Sequence, residues 1–288
     1  MSNVSTPTID ASLVERFRAD GFVVVPDVFD ATDMDAMAVT VDAAVAADQA
    51  DDQRALADKS RYEQSFQQCI YLWVRDPAVA RWSADPRPAA IAAQLLGVEA
   101  VRMWHDQALY KEAGGRETDP HQDHPYWPIA ETDQVTAWIP LDGSTAAAGA
   151  MAYWPGSHRA GLDEFVDIFG DVDPDDIGSH AALRGIEPVT VEVPRGSVAF
   201  HHGLTAHRAG ANVTSATRRV HTVIYMADGC RRGGDRRHPS VDIDGIEVGQ
   251  PIDGELTPIL WPAASTVPSV SDRVVDALAR IRDYRQKR

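Results

Sequence analysis

Two residues that could bind a metal ion lie two positions apart in the segment 119–127, which reads DPHQDHPYW. They are His121 and Asp123. In an extended segment, residues i and i+2 point to the same side, so an imidazole nitrogen and a carboxylate oxygen could face one point. A second imidazole would complete the set of two histidines and one carboxylate that binds ferrous iron and leaves open coordination positions. A single His-x-Asp arises about once by chance in a chain with ten histidines and many aspartates, so this motif needs a partner.

The segment 194–212, PRGSVAFHHGLTAHRAGAN, provides candidates for that partner. A glycine turn leads into a β-rich run, which is followed by three histidines: His201, His202 and His207. Each of the three could serve as the third ligand. Arg218 and Arg219 follow, and because successive strand residues face opposite sides, only one of the two can face the metal.

The elements before these motifs are predicted to be mainly helical. Residues 11–19 and 31–47 have helical patterns, the second with Asp30 as an acidic N-cap, and a short β-branched strand lies between them at 22–25. Alanine-rich helical patterns cover 75–96 and end at Gly97.

The residue pattern changes from helical to β-rich after residue 99. Short β-rich runs alternate with Gly, Pro and Asp clusters, at 99–110, 134–141, 149–154, 189–193, 197–201 and 219–226. Many short strands of irregular spacing predict a sandwich or a jelly roll. We expect one domain over 1–288, with a helical part at about 11–97, a β core at about 99–262 and a C-terminal helix at about 270–286.

The bulk composition limits the classes of partner. The chain has 288 residues, 27 basic and 43 acidic, for a net charge of −16 and a pI near 4.9. The electrostatic field of such an acidic chain repels nucleic acid and anionic membranes, so we expect neither as a partner. Cys69 and Cys230 are too few for a disulfide framework, and no signal peptide or membrane span is recognised. A cytoplasmic protein that binds a small molecule is expected.

The segment 161–185 is long and acidic and lies between two β-rich regions. Its carboxylates lack the regular spacing of a calcium loop. We interpret it as a lid over the site or as a surface excursion.

Several separated motifs together resemble the phytanoyl-CoA dioxygenase family of Fe(II)/2-oxoglutarate oxygenases. They are Asp20–Pro26, the His-x-Asp, Thr136–Asp142, Pro155–His158, Gly196–Asn212 and the tail from His238 to Pro262. The resemblance implies a mainly β fold, a double-stranded β-helix (a cupin-like jelly roll) with flanking helices. It also implies that His121, Asp123 and His207 are the iron ligands. His207 is favoured over its neighbours because it directly precedes the Arg-Ala-Gly-Ala-Asn turn.

The same resemblance implies that 2-oxoglutarate and O₂ are co-substrates. Arg218 would bind the distal carboxylate of 2-oxoglutarate, and Trp138 would lie beside it. Many family members have a small hydroxyl residue two positions after the distal histidine, where this chain has Ala209. The hydrogen bond that such a hydroxyl would donate to the co-substrate carboxylate could come instead from Tyr110, Thr136 or Lys111.

The implied reaction is hydroxylation of an unactivated C–H bond in a small molecule, with release of succinate and CO₂. Asp123 argues against halogenation, because halogenating relatives have a small residue at this position. The side chains expected to line the substrate pocket are His105, Tyr71, Trp73, Tyr126 and Trp127. Two alternatives remain open: a jelly-roll metalloenzyme that does not use 2-oxoglutarate, and a non-catalytic module that binds a small ligand. The sequence predicts neither the substrate nor the oligomeric state.

Overall fold

The structure, a computed structural model, describes residues 8–170 and 177–286. Its helices lie mostly in the N-terminal third. They are α1 (Ala11–Asp20), α2 (Ala31–Asp48), α3 (Leu72–Arg75), α4 (Pro77–Ser83), α5 (Pro86–Leu96), α6 (Pro239–Asp242) and α7 (Asp272–Gln286). Aspartate N-caps precede α1, α2, α4 and α5, and a glycine in the left-handed conformation ends α1 and α5, as the capping signals predict. No described helix is long and apolar enough to span a membrane.

The strands form two antiparallel sheets. They are β1 (Phe22–Val25), β2 (Gln67–Ile70), β3 (Val101–Lys111), β4 (Thr118–His121), β5 (Gln134–Pro140), β6 (Met151–Tyr153), β7 (Val189–Val191), β8 (Val198–His202), β9 (His207–Ala209), β10 (Arg218–Ala227) and β11 (Ile259–Trp261). The large sheet has the order β1-β8-β5-β10-β3-β11, with β2 also paired to β3, and the small sheet has the order β4-β9-β6-β7. The predicted jelly-roll class is confirmed by this arrangement and by the solved structures described below.

The two faces of the large sheet have different environments. Alternate residues such as Val23, Phe200 and Val223 face the N-terminal helices and form the main hydrophobic core with them. The residues between them face the small sheet. That inner face carries both apolar side chains, such as Val220, and polar ones, such as Thr136, and it is the face that positions the candidate site.

The predicted strands lie within a few residues of the observed ones, but the predicted β-rich runs did not include β2, β4, β9 or β11. The residues of β2, Gln67 to Ile70, are half-buried and only partly apolar, so they give little strand signal. The strand exists because it pairs with β3, and it covers one edge of that strand.

Candidate metal centre

The side chains of His121, Asp123 and His207 converge inside the molecule. The Nε2 atoms of the two histidines lie 3.9 and 3.7 Å from Oδ1 of Asp123, and their ring centroids are 4.3 Å apart. One potential ligand atom from each residue lies within 4.8 Å of the other two. Across the part of the chain that the structure describes, this is the one group of three or more such residues that could hold a metal ion.

Strand pairing brings the two histidines together, and a turn brings the carboxylate. His121 ends β4 and is the cross-strand partner of His207, which begins β9. Asp123 does not continue the strand: its φ of −78° and ψ of −42° are helical, and a 3₁₀ turn follows at His124–Tyr126. The expectation that strand alternation aligns His121 with Asp123 is therefore wrong, because the chain turns between them.

Each candidate histidine ligand is oriented through its other ring nitrogen. Nδ1 of His121 lies 2.7 Å from the carbonyl oxygen of Asp119, and Nδ1 of His207 lies 2.9 Å from that of Thr205. A carbonyl can only accept, so Nδ1 carries the proton and Nε2 keeps its lone pair. This is the arrangement in which metal-binding histidines are usually held.

The second oxygen of Asp123 has its own partners. Oδ2 accepts a hydrogen bond from Thr136 Oγ1 at 3.0 Å and lies 3.1 Å from Nε2 of His201. The hydroxyl of Tyr153 lies 3.2 Å from the other nitrogen of His201. His201 therefore lies behind the carboxylate. His202 accepts from the backbone N–H of Leu204, so of the three histidines in this segment only His207 joins the cluster.

The protonation states suit a divalent cation. Burial lowers the pKa of His121 and lowers that of His207 to about 3, so both imidazoles are neutral at pH 7. Burial raises the pKa of Asp123, but the positive charge that His207 carries once it is protonated in acid, together with the hydrogen bond from His201, outweighs burial and holds that pKa well below its usual range. An ionised carboxylate and two neutral imidazoles are the forms that bind metal.

Arg218 provides a buried positive charge on the inner face. It is 5% exposed, its guanidinium carbon lies 5.3 Å from the ring centroid of Trp138, and its Nη1 donates to the carbonyl of Gly149 at 2.5 Å. Its Nε is buried without a hydrogen-bond partner, and no described carboxylate forms an ion pair with it. Burial lowers its pKa to about 10. An unpaired buried cation is costly, so this environment favours an anionic ligand.

Arg219 faces the other side of the sheet, where it pairs with Asp42 and Asp142. Tyr110 is its cross-strand partner and donates to Asp42 at 2.6 Å. The suggestion that Tyr110 contacts the co-substrate is therefore wrong, because it lies on the opposite face from Arg218. Thr136 is on the inner face, but its hydroxyl is used by Asp123.

The residues expected in the substrate pocket are divided between two places. The Tyr126 ring lies 5.9 Å from that of His121. His105 lies 5.8 Å from Tyr71 and 6.2 Å from Trp127, and its ring also lies 5.6 Å from that of His238, the first residue of the C-terminal tail motif, which was not expected in the pocket. Trp73 instead packs in the core against the N-terminal helices, because α3 lies on the outer face of the sheet, and we withdraw it from the pocket.

The acidic segment is attached to the residues between and after the candidate ligands. Gln122 donates to the carbonyl of Leu162 at 2.9 Å, Nδ1 of His124 lies 2.9 Å from Asp163, and Tyr126 donates to the carbonyl of Val166 at 2.6 Å. Residues 171–176, which belong to the same predicted lid, lie outside the described residues. No pattern in the sequence predicted these attachments.

Curated proteins are similar to this chain in sequence. A family model described as phytanoyl-CoA dioxygenase matches residues 17–220. The chain is 29% identical over 153 residues to a probable alpha-ketoglutarate-dependent hypophosphite dioxygenase of Stutzerimonas stutzeri, covering 48% of this chain and 51% of that protein. It is 25% identical over 191 residues to the phytanoyl-CoA dioxygenase of Arabidopsis thaliana, covering 64% and 67%. The matched regions thus span about half to two-thirds of these relatives.

Solved structures have the same fold. The non-heme alpha ketoglutarate dependent carbocyclase SnoK from nogalamycin biosynthesis superposes with a TM-score of 0.73 at 27% identity, over 88% of this chain and 99% of that one. The epimerase SnoN, solved with Fe³⁺, alpha ketoglutarate and nogalamycin RO, has a TM-score of 0.71 at 27% identity, over 87% and 98%. With a family match over most of its length, the chain belongs to the phytanoyl-CoA dioxygenase family.

Proposed function

We propose that this protein is an Fe(II)- and 2-oxoglutarate-dependent oxygenase that hydroxylates an unactivated C–H bond of a small molecule. One observation carries the proposal: a buried set of two neutral histidines and one carboxylate accompanies a buried, unpaired guanidinium on the inner face of the large sheet. Family membership and the cofactors named for the related enzymes support it.

The residues present fit a ferrous ion. His121, Asp123 and His207 would hold it, and their ligand atoms need to approach to roughly 3 Å from one another, the spacing of adjacent positions at a metal–ligand distance of about 2.1 Å. The two histidines lie 3.9 and 3.7 Å from the carboxylate oxygen, and all three ligand atoms lie within 4.8 Å of one another, so side-chain movements of an ångström or two would bring them to a metal ion. When bound, iron with 2-oxoglutarate and O₂ supplies an oxidant that removes hydrogen from a C–H bond, and 2-oxoglutarate leaves as succinate and CO₂.

The protein's own contribution is to bind and orient the reactants and to exclude water. Arg218 would donate two parallel hydrogen bonds to the distal carboxylate of 2-oxoglutarate. That carboxylate would then be the counter-ion that the Arg218 guanidinium otherwise lacks. Trp138 packs beside that guanidinium and would exclude water from it. Hydrogen bonds to Asp123 would keep its metal-facing oxygen in place.

The substrate would bind between Tyr126, whose ring lies beside His121, and the group formed by His105, Tyr71 and Trp127. Such side chains favour a partly apolar molecule that presents one C–H bond to the metal. SnoK and SnoN belong to nogalamycin biosynthesis, which supports a specialised metabolite as the substrate class.

The test is a pair of measurements on the purified protein. Anaerobic addition of 2-oxoglutarate to the Fe(II) protein should produce a weak visible charge-transfer band, and candidate substrates should stimulate succinate formation in air. Asp123→Ala should lose both the band and ordinary hydroxylation. Hydroxylation by Asp123→Ala at the wild-type rate would show that the ligand assignment is wrong. Metal binding without any effect of 2-oxoglutarate would favour a jelly-roll metalloenzyme of another kind.

A further inference from the structure

Two buried basic side chains lie next to each other at the inner end of the candidate co-substrate site. Lys111, the last residue of β3, is the cross-strand partner of Arg218 at the start of β10, so both side chains leave the same face of the sheet. Lys111 is 0% exposed, and neither residue forms an ion pair with any described carboxylate. A buried guanidinium and a buried amine, neither with a carboxylate partner, favour an anionic ligand between them.

Two glycines flank the aliphatic part of the Lys111 side chain. A Cβ atom placed on Gly115 would lie 2.9 Å from its Cγ, and one placed on Gly149 would lie 3.0 Å from its Cδ, so the aliphatic chain runs between two residues that have no side chain. Gly149 is also the residue whose carbonyl accepts from Arg218. The backbone at Gly149 therefore adjoins both Lys111 and Arg218.

The hydrogen bonds of Lys111 match a neutral amine. Its Nζ donates to the carbonyl of Arg116 and to Thr118 Oγ1, the latter at 3.4 Å. A neutral amine has two N–H groups, whereas an ammonium has three. The hydrogen bonds found for the described residues include no third acceptor for Nζ, so the ammonium form would have one N–H left for a ligand.

We infer that Lys111 is a second binding residue for the distal carboxylate of 2-oxoglutarate and that it takes up a proton when this dianion binds. The inference rests on the proposed function, which it deepens by adding a residue and a pH dependence to the co-substrate site. The proton comes from solvent and joins the amine nitrogen, and no other bond is formed or broken.

The charges around Lys111 determine its pKa and the direction in which that pKa changes when 2-oxoglutarate binds. Burial is the largest influence and lowers the pKa of Lys111, the cations Arg218 and Arg116 lower it further, and Glu117 and Asp119 raise it, with a net value of about 6. Lys111 is thus mostly neutral at pH 7.5 in the free protein. A carboxylate bound beside Arg218 favours the ammonium, so the pKa of Lys111 rises in the complex.

The sign of the pH dependence follows from linkage. Above the pKa of the free protein, binding of 2-oxoglutarate requires a proton from solvent, so its affinity falls as the pH rises. The fall approaches about tenfold per pH unit between the pKa values of the free and the bound protein. Below about pH 6 Lys111 is already protonated, and its contribution to the pH dependence ends.

The experiment is calorimetric titration of 2-oxoglutarate into Mn(II)-loaded protein near pH 7.5, in phosphate and in Tris, whose ionisation enthalpies differ. Wild type should take up between half a proton and one proton per 2-oxoglutarate, on the order expected for one titrating group. Lys111→Met should show no uptake and should lose the decrease in affinity between about pH 6.5 and about pH 8. Lys59→Met is the control: Lys59 is also buried but is ion-paired with Glu112, and its loss should leave the uptake unchanged.

Each outcome decides between the hypotheses. Proton uptake that persists in Lys111→Met, or its absence in wild type, overturns the role of Lys111 and leaves the proposed function intact. Failure of wild type to bind 2-oxoglutarate at all would overturn both. The wild-type measurement needs no variant, so the inference can be tested even if Lys111→Met does not fold.

Discussion

At the scale of single residues, the two oxygens of Asp123 have different environments. Oδ1 faces the Nε2 atoms of both candidate histidine ligands, whereas Oδ2 is held by Thr136 and His201. A carboxylate that was free to rotate would lose entropy on binding a metal, and these two contacts remove that freedom beforehand. His201 is thus a positioning residue that acts through Asp123.

We predict that His201→Phe weakens metal binding roughly 10- to 100-fold, the usual effect of removing a partner that orients a ligand. His201→Gln keeps an N–H donor near the position of the imidazole Nε2 and should retain most of the affinity. The measurement is the dissociation constant of Mn(II) or Co(II) by calorimetry, without co-substrates. His202→Phe is the neighbouring control, because that imidazole does not contact Asp123. Equal affinities for His201→Phe and wild type would exclude the positioning role.

Arg218 and Arg219 form a natural pair of test and control. Arg218→Met should raise the dissociation constant of 2-oxoglutarate by about 10- to 100-fold, since a hydrogen bond to a charged group contributes about 1.5–3 kcal/mol. Metal affinity should not change. Arg219→Met removes an arginine from the outer face, where its partners are Asp42 and Asp142, and should leave 2-oxoglutarate binding as it is. A larger loss in Arg219→Met would mean that the wrong arginine was assigned.

At the scale of elements, the junction of α1 and β1 supports the segment that carries His207. The carbonyl of Gly21 accepts from the backbone N–H of His202 and from Thr205 Oγ1, both at 2.8 Å. The carbonyl of Thr205 in turn faces Nδ1 of His207. The turn between an N-terminal helix and its strand is thus connected to the ring orientation of a candidate metal ligand.

Gly21→Ala should therefore reduce both stability and metal affinity. Gly21 has a φ of +83°, and an added Cβ would lie 2.4 Å from Thr205 Oγ1 and 2.5 Å from His158 Nδ1. We expect about 1 kcal/mol from the backbone conformation and about 1–3 kcal/mol more from the steric clash, measured by urea unfolding. Gly229→Ala is the matched control, with a φ of +92° and nothing within 4 Å of the added Cβ. Similar losses in the two variants would exclude the steric contribution.

At the scale of the whole molecule, buried histidines make stability depend on pH. Burial lowers the pKa of His105, His202 and His221 to about 4 each and that of His207 to about 3. An unfolded histidine titrates near 6.5, so below that pH the unfolded chain binds protons that the folded one does not. The metal-free protein therefore loses stability as the pH falls from about 6.5 to about 4.

The expected loss is large. One pKa unit corresponds to about 1.4 kcal/mol, so each of these histidines contributes on the order of 2–3 kcal/mol across the window. Asp106 opposes them, because burial raises its pKa to about 6 and the folded state keeps a proton there that the unfolded state loses. Urea midpoints of the metal-free protein at pH 7.5, about 5.5 and about 4.5 would measure the net slope. A midpoint that does not change would show that these imidazoles are not buried.

The amino-acid sequence by itself determined most of the element types and indicated most of the candidate site. Alternation along β10 was enough to place Arg218 and Arg219 on opposite faces, and cap residues such as Asp30 and Gly97 were enough to bound helices, because strand alternation and helix capping depend on neighbours in the chain. The family motifs indicated His121, Asp123 and His207 before any distance was known.

Only the tertiary structure decided what surrounds those side chains. It assigned His201 to the far oxygen of Asp123, moved Tyr110 and Trp73 to the helix side of the sheet and placed Lys111 beside Arg218. These facts depend on which strands pair, in what register, and on a turn at residue 123. Strand pairing joins residues far apart in the chain, here 111 with 218 and 121 with 207. Local patterns carry no information about such pairs, because the hydrogen bonds and packing that select them form only when the whole sheet assembles.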